Sequence, residues 1–546
     1  MSRDDGKIKI GIVTGKKAFP FIAEVAKEIE KKEPVDFVLV SLDIGVISFV
    51  TADLVRSSLE RNPNLISALK DCDFVLVPGT LKGDAGKIGE LLGIPVYKAG
   101  VQPSSLPRVI KALLMGQELS PIEPADSLLK LKDESVLRSV LEDVYLNSKK
   151  SFNIGDLGIP ERPPPIVIAA ETPVTLPIEE LESHARYLEE SGAEIVVAGI
   201  PFGESLEEGR KRIAAVARGL NSAVLGVDSA NPKILIEGAS MGAELLLSLS
   251  LGNMDALSGV KEEAFVVIPG DPIRGDVPKS VYEVASSLSR TISIAREKGF
   301  KKLIADPILY PPGLGFADSL NSYRLVSSHL PNTPLFAGLS NVVELFDADS
   351  PGLVALLVQL LGEIGVSVML TSEESWKAKG STLEARGASL LTSYSLKTRA
   401  PPHNAGIDLL FLKEKEPPLN FYLPEGSIVE KVLEEPEAEI QRGLFFTVGA
   451  DHAKKTIVAC AHRAEGITCF EGSSARSIYK KILSTIKEVS PEHAAYLGYE
   501  LSRAEISLIL GKTYIQDGDI LRSLVNKKDN ILSIYDQLKR KVTGNE

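Results

Sequence analysis

The chain has 546 residues, 44% hydrophobic and 25% charged, with a formal net charge of −12. That length exceeds what one hydrophobic core organises, so roughly two to four domains are expected. The acidic balance, and the lack of any basic run interleaved with aromatics, argue against a nucleic-acid face.

Three cysteines occur, Cys72, Cys460 and Cys469, with no CxxC and no paired spacing. This usage suits a reducing cytoplasm and offers no zinc or iron–sulfur site. The opening "MSRDDGKIKIGIVTG" passes from polar residues straight into a strand, unlike a signal peptide. No apolar run approaches the length of a membrane span. A cytoplasmic protein without nucleic-acid or membrane partners is expected.

Residues 7–120 alternate short apolar runs ("KIKIGIVTG", "VDFVLVSL", "DFVLVPGT", "IPVYKAG") with helical patterns. The alternation reads as an open parallel α/β sheet, a Rossmann-like domain over 1–150. Gly15 in "TGKK" and Gly79 in "PGTLKGD" end two of the strands. Such loops hold phosphates in some proteins, but no GxGxxG or Walker pattern accompanies them, and tight turns are the simpler reading.

A Pro-rich bridge, "GIPERPPPIVIAAETP", opens the second part. Eight β-like runs follow: "IVIAAE", "EIVVAG", "AVLGVDS", "ELLLSLS", "AFVVIPGD", "KLIADP", "PLFAGLSN" and "SVMLTSE", with helical stretches between them. Eight consecutive β-α units predict a closed (β/α)8 TIM barrel over 163–396. The third part, 403–546, begins with strand-like "IDLLFL", "GLFFTVGAD" and "KTIVACAH" and turns helical from Ser473. It reads as an α+β domain. Its last segment, "GDILRSLVNKKDNILSIYDQLKRKV", is amphipathic and suits an exposed packing helix or an oligomer contact, so a homo-oligomer is expected.

A TIM barrel carries its site at the C-terminal strand ends. Those ends hold Glu171 and Thr172, Asp228 and Ser229, Ser250 and Asn253, Asp271, Asp306, Ser340 and Asn341, and Glu373 and Glu374. Each alone has a structural explanation: Asp228 could cap the helix beginning near Pro232, Asp306 before Pro307 could be turn chemistry, and Ser340-Asn341 could cap a helix. Together they make a rim of acids and amides, with Arg274 the nearest basic residue. A pterin suits such a rim, because its aminopyrimidinone edge presents two adjacent N–H donors that one carboxylate accepts.

Three stretches carry a resemblance. "VDSANPKILIEGASMGAELLLSLS", "IADPILYPPGLGFADSLNSYRLV" and "GLSNVVEL" resemble the third-to-fourth, sixth and seventh strand segments of the pterin-binding barrels. Those barrels are shared by dihydropteroate synthases and methyltetrahydropterin:corrinoid methyltransferases. With its added terminal parts, the whole chain resembles the archaeal dihydropteroate synthase-related proteins.

The resemblance implies that Asp306 holds the pterin amino edge, with Asp228 and Asn253 supporting the ring. Ser340 and Asn341 would complete the site, and Asn341 would be the catalytic amide beside the methyl-bearing nitrogen. It also implies a reduced pterin of tetrahydromethanopterin or tetrahydrofolate type, no metal, and methyl transfer to a corrinoid, a corrinoid protein or another acceptor. A dihydropteroate synthase-like condensation of a pterin methyl diphosphate with an arylamine, or a non-catalytic pterin carrier or assembly factor, stand as alternatives. Glu373 and Glu374 occupy the place of the synthases' cationic residues and would repel a diphosphate, and the synthases' strand-one Asn is missing from "AAETPVTLP".

The third part resembles a small domain of unknown function and, more distantly, a corrinoid-carrying methyltransferase subunit. His403, His452, His462 and His493 lie there, without a cobalamin DxHxxG pattern. Roles in helices or at the surface are the simpler reading for them.

Overall fold

The computed structural model describes residues 7–45, 47, 50–101, 105–271, 274–402, 405–412 and 443–518. The chain divides into two compact units, Met1–Ser427 and Ile428–Glu546.

The first unit opens with four parallel strands: β1 (Ile8–Gly15), β2 (Val35–Leu42), β3 (Phe74–Val77) and β4 (Val96–Lys98). Their order is β2-β1-β3-β4. These strands are almost continuously apolar because helices cover both faces of the sheet. One face packs Ile22 and Ile29 of helix Phe19–Glu30 and Val109 and Ile110 of helix Leu106–Leu114. The other packs Val55 and Leu59 of helix Ala52–Glu60 and Ile88 and Leu92 of helix Gly86–Leu92. A helix of 23 residues, Ala125–Asn147, leaves this core at Ala125 and Leu129. Its far end is tied to the later helix Ser381–Thr398 by the Lys397–Asp143 ion pair at 2.5 Å.

Between this sheet and the barrel lies an antiparallel hairpin, β5 (Lys150–Ile154) and β6 (Leu157–Pro160), that the Pro-rich reading of the bridge missed. Its turn is Gly155-Asp156, with Gly155 at φ +53°. Ile154 and Ile159 are fully buried among the inward-facing residues of the barrel.

All eight expected strands form: β7 (Val167–Glu171), β8 (Ile195–Gly199), β9 (Val224–Asp228), β10 (Leu245–Leu249), β11 (Ala264–Val267), β12 (Lys302–Ala305), β13 (Leu335–Gly338) and β14 (Val366–Ser372). They close into one parallel barrel. Side chains alternate along the strands, with breaks at Leu249 and Val366, which face the helices although Leu247 and Val368 face inward. Val167, Ala169, Ile195, Val197, Leu245, Val266, Ile304, Phe336 and Val368 fill the interior. Ile168, Ala170, Val196, Val227, Leu246, Phe265, Leu303 and Ala337 face the surrounding helices.

The segment expected as a strand at Ile407–Leu412 is not one. Leu409 instead packs on Gly387 of helix Ser381–Thr398, against the barrel's outer core.

The second unit is an antiparallel sheet of β15 (Leu444–Asp451), β16 (Thr456–Arg463) and β17 (Gly466–Gly472). Helices Ala475–Thr485 and Pro491–Leu510 cover one face through Ile478, Ile482, Leu497 and Leu501. The β16–β17 register sets Cys460 opposite Cys469, and the two form a disulfide. This corrects the reading of the cysteines as unpaired: nine residues apart, they are symmetric about a hairpin turn. Cysteine usage therefore no longer argues for a reducing compartment. The amphipathic tail beyond Gly518 lies outside the described residues, as does His403. Among the described residues no helix is long and apolar enough to cross a membrane.

Candidate functional site

The strand parity that fills the barrel also aims its acids. On β7, Val167 and Ala169 point inward, so Glu171 does too; on β9, Val224 fixes the same inward sense for Asp228. Asp306 follows β12 by one residue, two beyond inward-facing Ile304. Asp228 lies close enough to Glu171 and to Asp306 for their charges to repel.

Burial, then the charges of Asp228 and Glu374, push Glu171 up to about 8. Burial, then Asp306, raises Asp228 to about 7. Burial raises Asp306 to about 6, while donors from Tyr323 and Ile308 pull it down. All three carboxyls are thus pushed above the ordinary range, Glu171 the furthest and Asp306 the least. Gly199 makes room for the first of them: a Cβ there would sit 2.9 Å from Glu171 Oε1 and 2.5 Å from the Thr172 carbonyl oxygen.

Asp306 is the most firmly positioned. Its Oδ1 accepts from the Tyr323 hydroxyl at 2.7 Å and the Ile308 amide at 2.8 Å. Its Oδ2 has no donor among the described residues. Tyr323 is fully buried, and burial together with the Asp306 charge holds its hydroxyl protonated. Ile308 has φ +70°, a conformation that costs a β-branched residue about 1–3 kcal/mol. The Pro307 turn that aims the Ile308 amide at Asp306 carries this strain.

Helix capping accounts for neither Asp228 nor Asn341. The helix Pro232–Ser240 is capped by Asn231, whose side chain accepts from the Lys233 amide at 3.1 Å. Asp228 has no hydrogen-bond partner among the described residues. Ser340 and Asn341 begin the short helix Ser340–Val343, which has no side-chain cap. Asn341 is exposed, and its Nδ2 donates to the Leu309 carbonyl at 2.9 Å, joining the loops after β12 and β13.

Asn253 is different. It is buried, its Oδ1 accepts from the Ser250 amide and its Nδ2 donates to the Ser248 carbonyl, each at 2.8 Å. Its amide holds the loop after β10 together. Asp271 is buried too: its Oδ1 accepts from the Arg274 amide of its own loop, and its carboxyl lies against Gly252 on the loop after β10.

The two glutamates after β14 do not both face the mouth as expected. Glu373 accepts from the Tyr187 hydroxyl and from the amides of Gly380 and Thr382, so it serves the N-terminus of helix Ser381–Thr398. Glu374 accepts from the Val174 amide and the Thr175 hydroxyl on the loop after β7. The basic residues nearest in sequence are also engaged. Arg274 lies 3.6 Å from Asp271, Lys377 2.9 Å from Asp347, and Arg386 2.5 Å from Glu194, at the opposite end of the barrel.

Sequence reading missed two residues that hold this mouth. Tyr323 stands in the quoted "NSYRLV", where only helical periodicity marked it as a core position. Arg212, on helix Leu206–Gly219, is buried and donates to the carbonyls of Pro173, Val174, Leu176 and Gly199. It fixes the loops after β7 and β8 through these carbonyls.

In the second unit the described histidines do not converge. His462 stacks on Phe445 and shares a 2.9 Å hydrogen bond with the Thr447 hydroxyl. His493 packs edge-on against Phe446. Among the described residues no group of His, Cys, Asp and Glu could hold a metal ion.

An uncharacterized protein of Methanocaldococcus jannaschii is 32% identical over 533 residues, spanning 94% of this chain and 99% of its own length. Residues 441–517 match the family described as PterinBD-DUF4346. The chain belongs to the dihydropteroate synthase-related, pterin-binding family.

Similar solved structures include a Yersinia pestis dihydropteroate synthase with a pterine–sulfa conjugate. It aligns at 16% identity and a TM-score of 0.35, over 45% of this chain and 98% of its own. The Thermus thermophilus dihydropteroate synthase in complex with 6HMPPP aligns at 23% identity and a TM-score of 0.32, over 41% and 92%.

Proposed function

We propose that the barrel mouth binds a reduced pterin, and that the bound pterin serves one-carbon transfer in preference to synthesis from a diphosphate. The observation that carries this reading is the graded row Glu171–Asp228–Asp306. Asp306, ionised and with Oδ2 open, accepts the two N–H donors of the aminopyrimidinone edge. Glu171, protonated at neutral pH, donates to a ring acceptor. A pterin presents both kinds of edge.

Asn341 stands at the lip of the mouth beside the β12 loop. With Nδ2 on Leu309, its Oδ1 and remaining N–H are left to meet the ring. A hydrogen bond that strengthens as charge develops on the methyl-bearing nitrogen would assist departure of the methyl group. The acceptor is a corrinoid or another nucleophile. A corrinoid acceptor would arrive on a partner protein. Asn253, with its amide spent in its own loop, supports the site by shaping the loop after β10.

The carboxylate of Glu374 on the loop after β14, and the pairing of Arg386 with Glu194 at the opposite end of the barrel, favour methyl transfer over the synthase reaction, which must neutralise a departing diphosphate. Parallel calorimetric titrations of a tetrahydropterin and a pterin methyl diphosphate, with and without magnesium, test this reading. The unphosphorylated ring is expected to bind at least as well in the absence of metal. A clear metal-free preference for the diphosphate would restore the synthase reaction.

A further inference from the structure

The N-terminal sheet holds a second cavity, remote in sequence from the barrel mouth. It lies beyond the carboxyl ends of β1, β3 and β4. The helix after β1 packs on one face of the sheet and the helix after β3 on the other, so the chain directions part there. Ligands of doubly wound sheets bind at such a point. The walls are apolar, formed by Ile12, Ile22, Ile47, Leu76, Val77 and Leu106.

Three polar side chains interrupt them, Thr14, Lys17 and Thr80. Thr14 lines the cavity, is 1% exposed, and its hydroxyl has no hydrogen-bond partner. A buried hydroxyl without a partner is unfavourable, and in a rigid strand it marks a place where something else supplies the bond. Lys17, also lining the cavity, is exposed and has no acidic partner among the described residues, whereas neighbouring Lys16 pairs with Asp43 at 2.6 Å. The turn glycines carry no ligand argument. A Cβ on Gly15 would lie 2.8 Å from the Ile44 carbonyl oxygen, and one on Gly79 2.5 Å from that of Ala99, so backbone packing accounts for both.

We infer that this crevice is a binding site for a nucleotide-like small molecule: a flat heterocycle between the apolar walls, hydrogen-bonded to Thr14, with an anionic tail at Lys17. Mostly apolar walls with few placed polar groups suit an aromatic ring.

Calorimetric titration of the full chain with FMN and AMP, and with their dephosphorylated counterparts riboflavin and adenosine, tests the site. At least one nucleotide is expected to bind with 1:1 stoichiometry, at least tenfold more tightly than its counterpart. Thr14→Val, which keeps the side chain's shape, should weaken binding at least fivefold without lowering the melting temperature. Lys17→Gln should erase the advantage of the phosphate. Failure of both nucleotides to bind, or equal binding to Thr14→Val, overturns the proposal. So does a lowered melting temperature in Thr14→Val, because it would show that the hydroxyl already has an internal partner.

Discussion

Asp306 is held on one oxygen by Tyr323 and Ile308, and this division of labour predicts the effect of removing a single donor. Tyr323→Phe keeps the buried ring and deletes the hydroxyl. Asp306 should then titrate higher, because that hydrogen bond lowers its pKa. Affinity for a reduced pterin should fall by about 1 kcal/mol, the worth of one such hydrogen bond. Calorimetry measures the second effect, and thermal melting should show a fold stability changed by no more than a similar amount.

Glu171 makes a different prediction. Burial and its acidic neighbours raise its folded pKa to about 8, above the ordinary 4.5. The folded state therefore keeps a proton that the unfolded state releases. Its contribution is most favourable below about pH 4.5 and is lost as pH rises through about 8. Glu171→Gln should raise the melting temperature at pH 8.5, by an amount equivalent to about 1–3 kcal/mol, and do little at pH 4.5. Equal shifts at both values would show that Glu171 is not the source of the pH dependence.

Among the elements, β8 and the β5–β6 hairpin each carry a position sensitive to a small change. Gly199→Ala would drive a methyl group into the Thr172 carbonyl and the Glu171 carboxyl, and should cost about 1–3 kcal/mol while disturbing the acidic row. Ile154→Ala would open a void among the inward residues at the hairpin, at about 2–4 kcal/mol. Chemical denaturation of each variant measures both.

The eight barrel strands were legible because each is an apolar run of four or more residues bounded by turn residues, and the chain repeats that unit without interruption. The hairpin was not, since "KSFNIGDLGIP" lies beside a proline run that draws attention to the linker. Its signal was present nonetheless: Phe152, Ile154, Leu157 and Ile159 flank a Gly-Asp turn. Strand parity made Glu171, Asp228 and Asp306 readable as inward-facing rim residues. The spent amide of Asn253 and the capping carboxylate of Glu373 were not readable, because a rim position says nothing of where the side chain turns. Tyr323 and Arg212 act on the site from helices behind the strands, beyond what strand ends alone can reveal.

At the scale of the whole molecule, family membership, the closed barrel and the acidic mouth point toward one ligand class. The disulfide in the second unit and the crevice in the N-terminal sheet lie outside that reading and leave it unchanged. The most direct test of pterin binding at the barrel is calorimetric titration of a reduced pterin into the native protein and Asp306→Asn. Asp306→Asn retains the shape of the side chain but loses the ionised acceptor that meets both donors of the aminopyrimidinone edge. Binding should weaken by about 2–4 kcal/mol, roughly 30-fold or more, with the melting temperature little changed. Equal affinity in the two proteins would contradict a pterin held by Asp306.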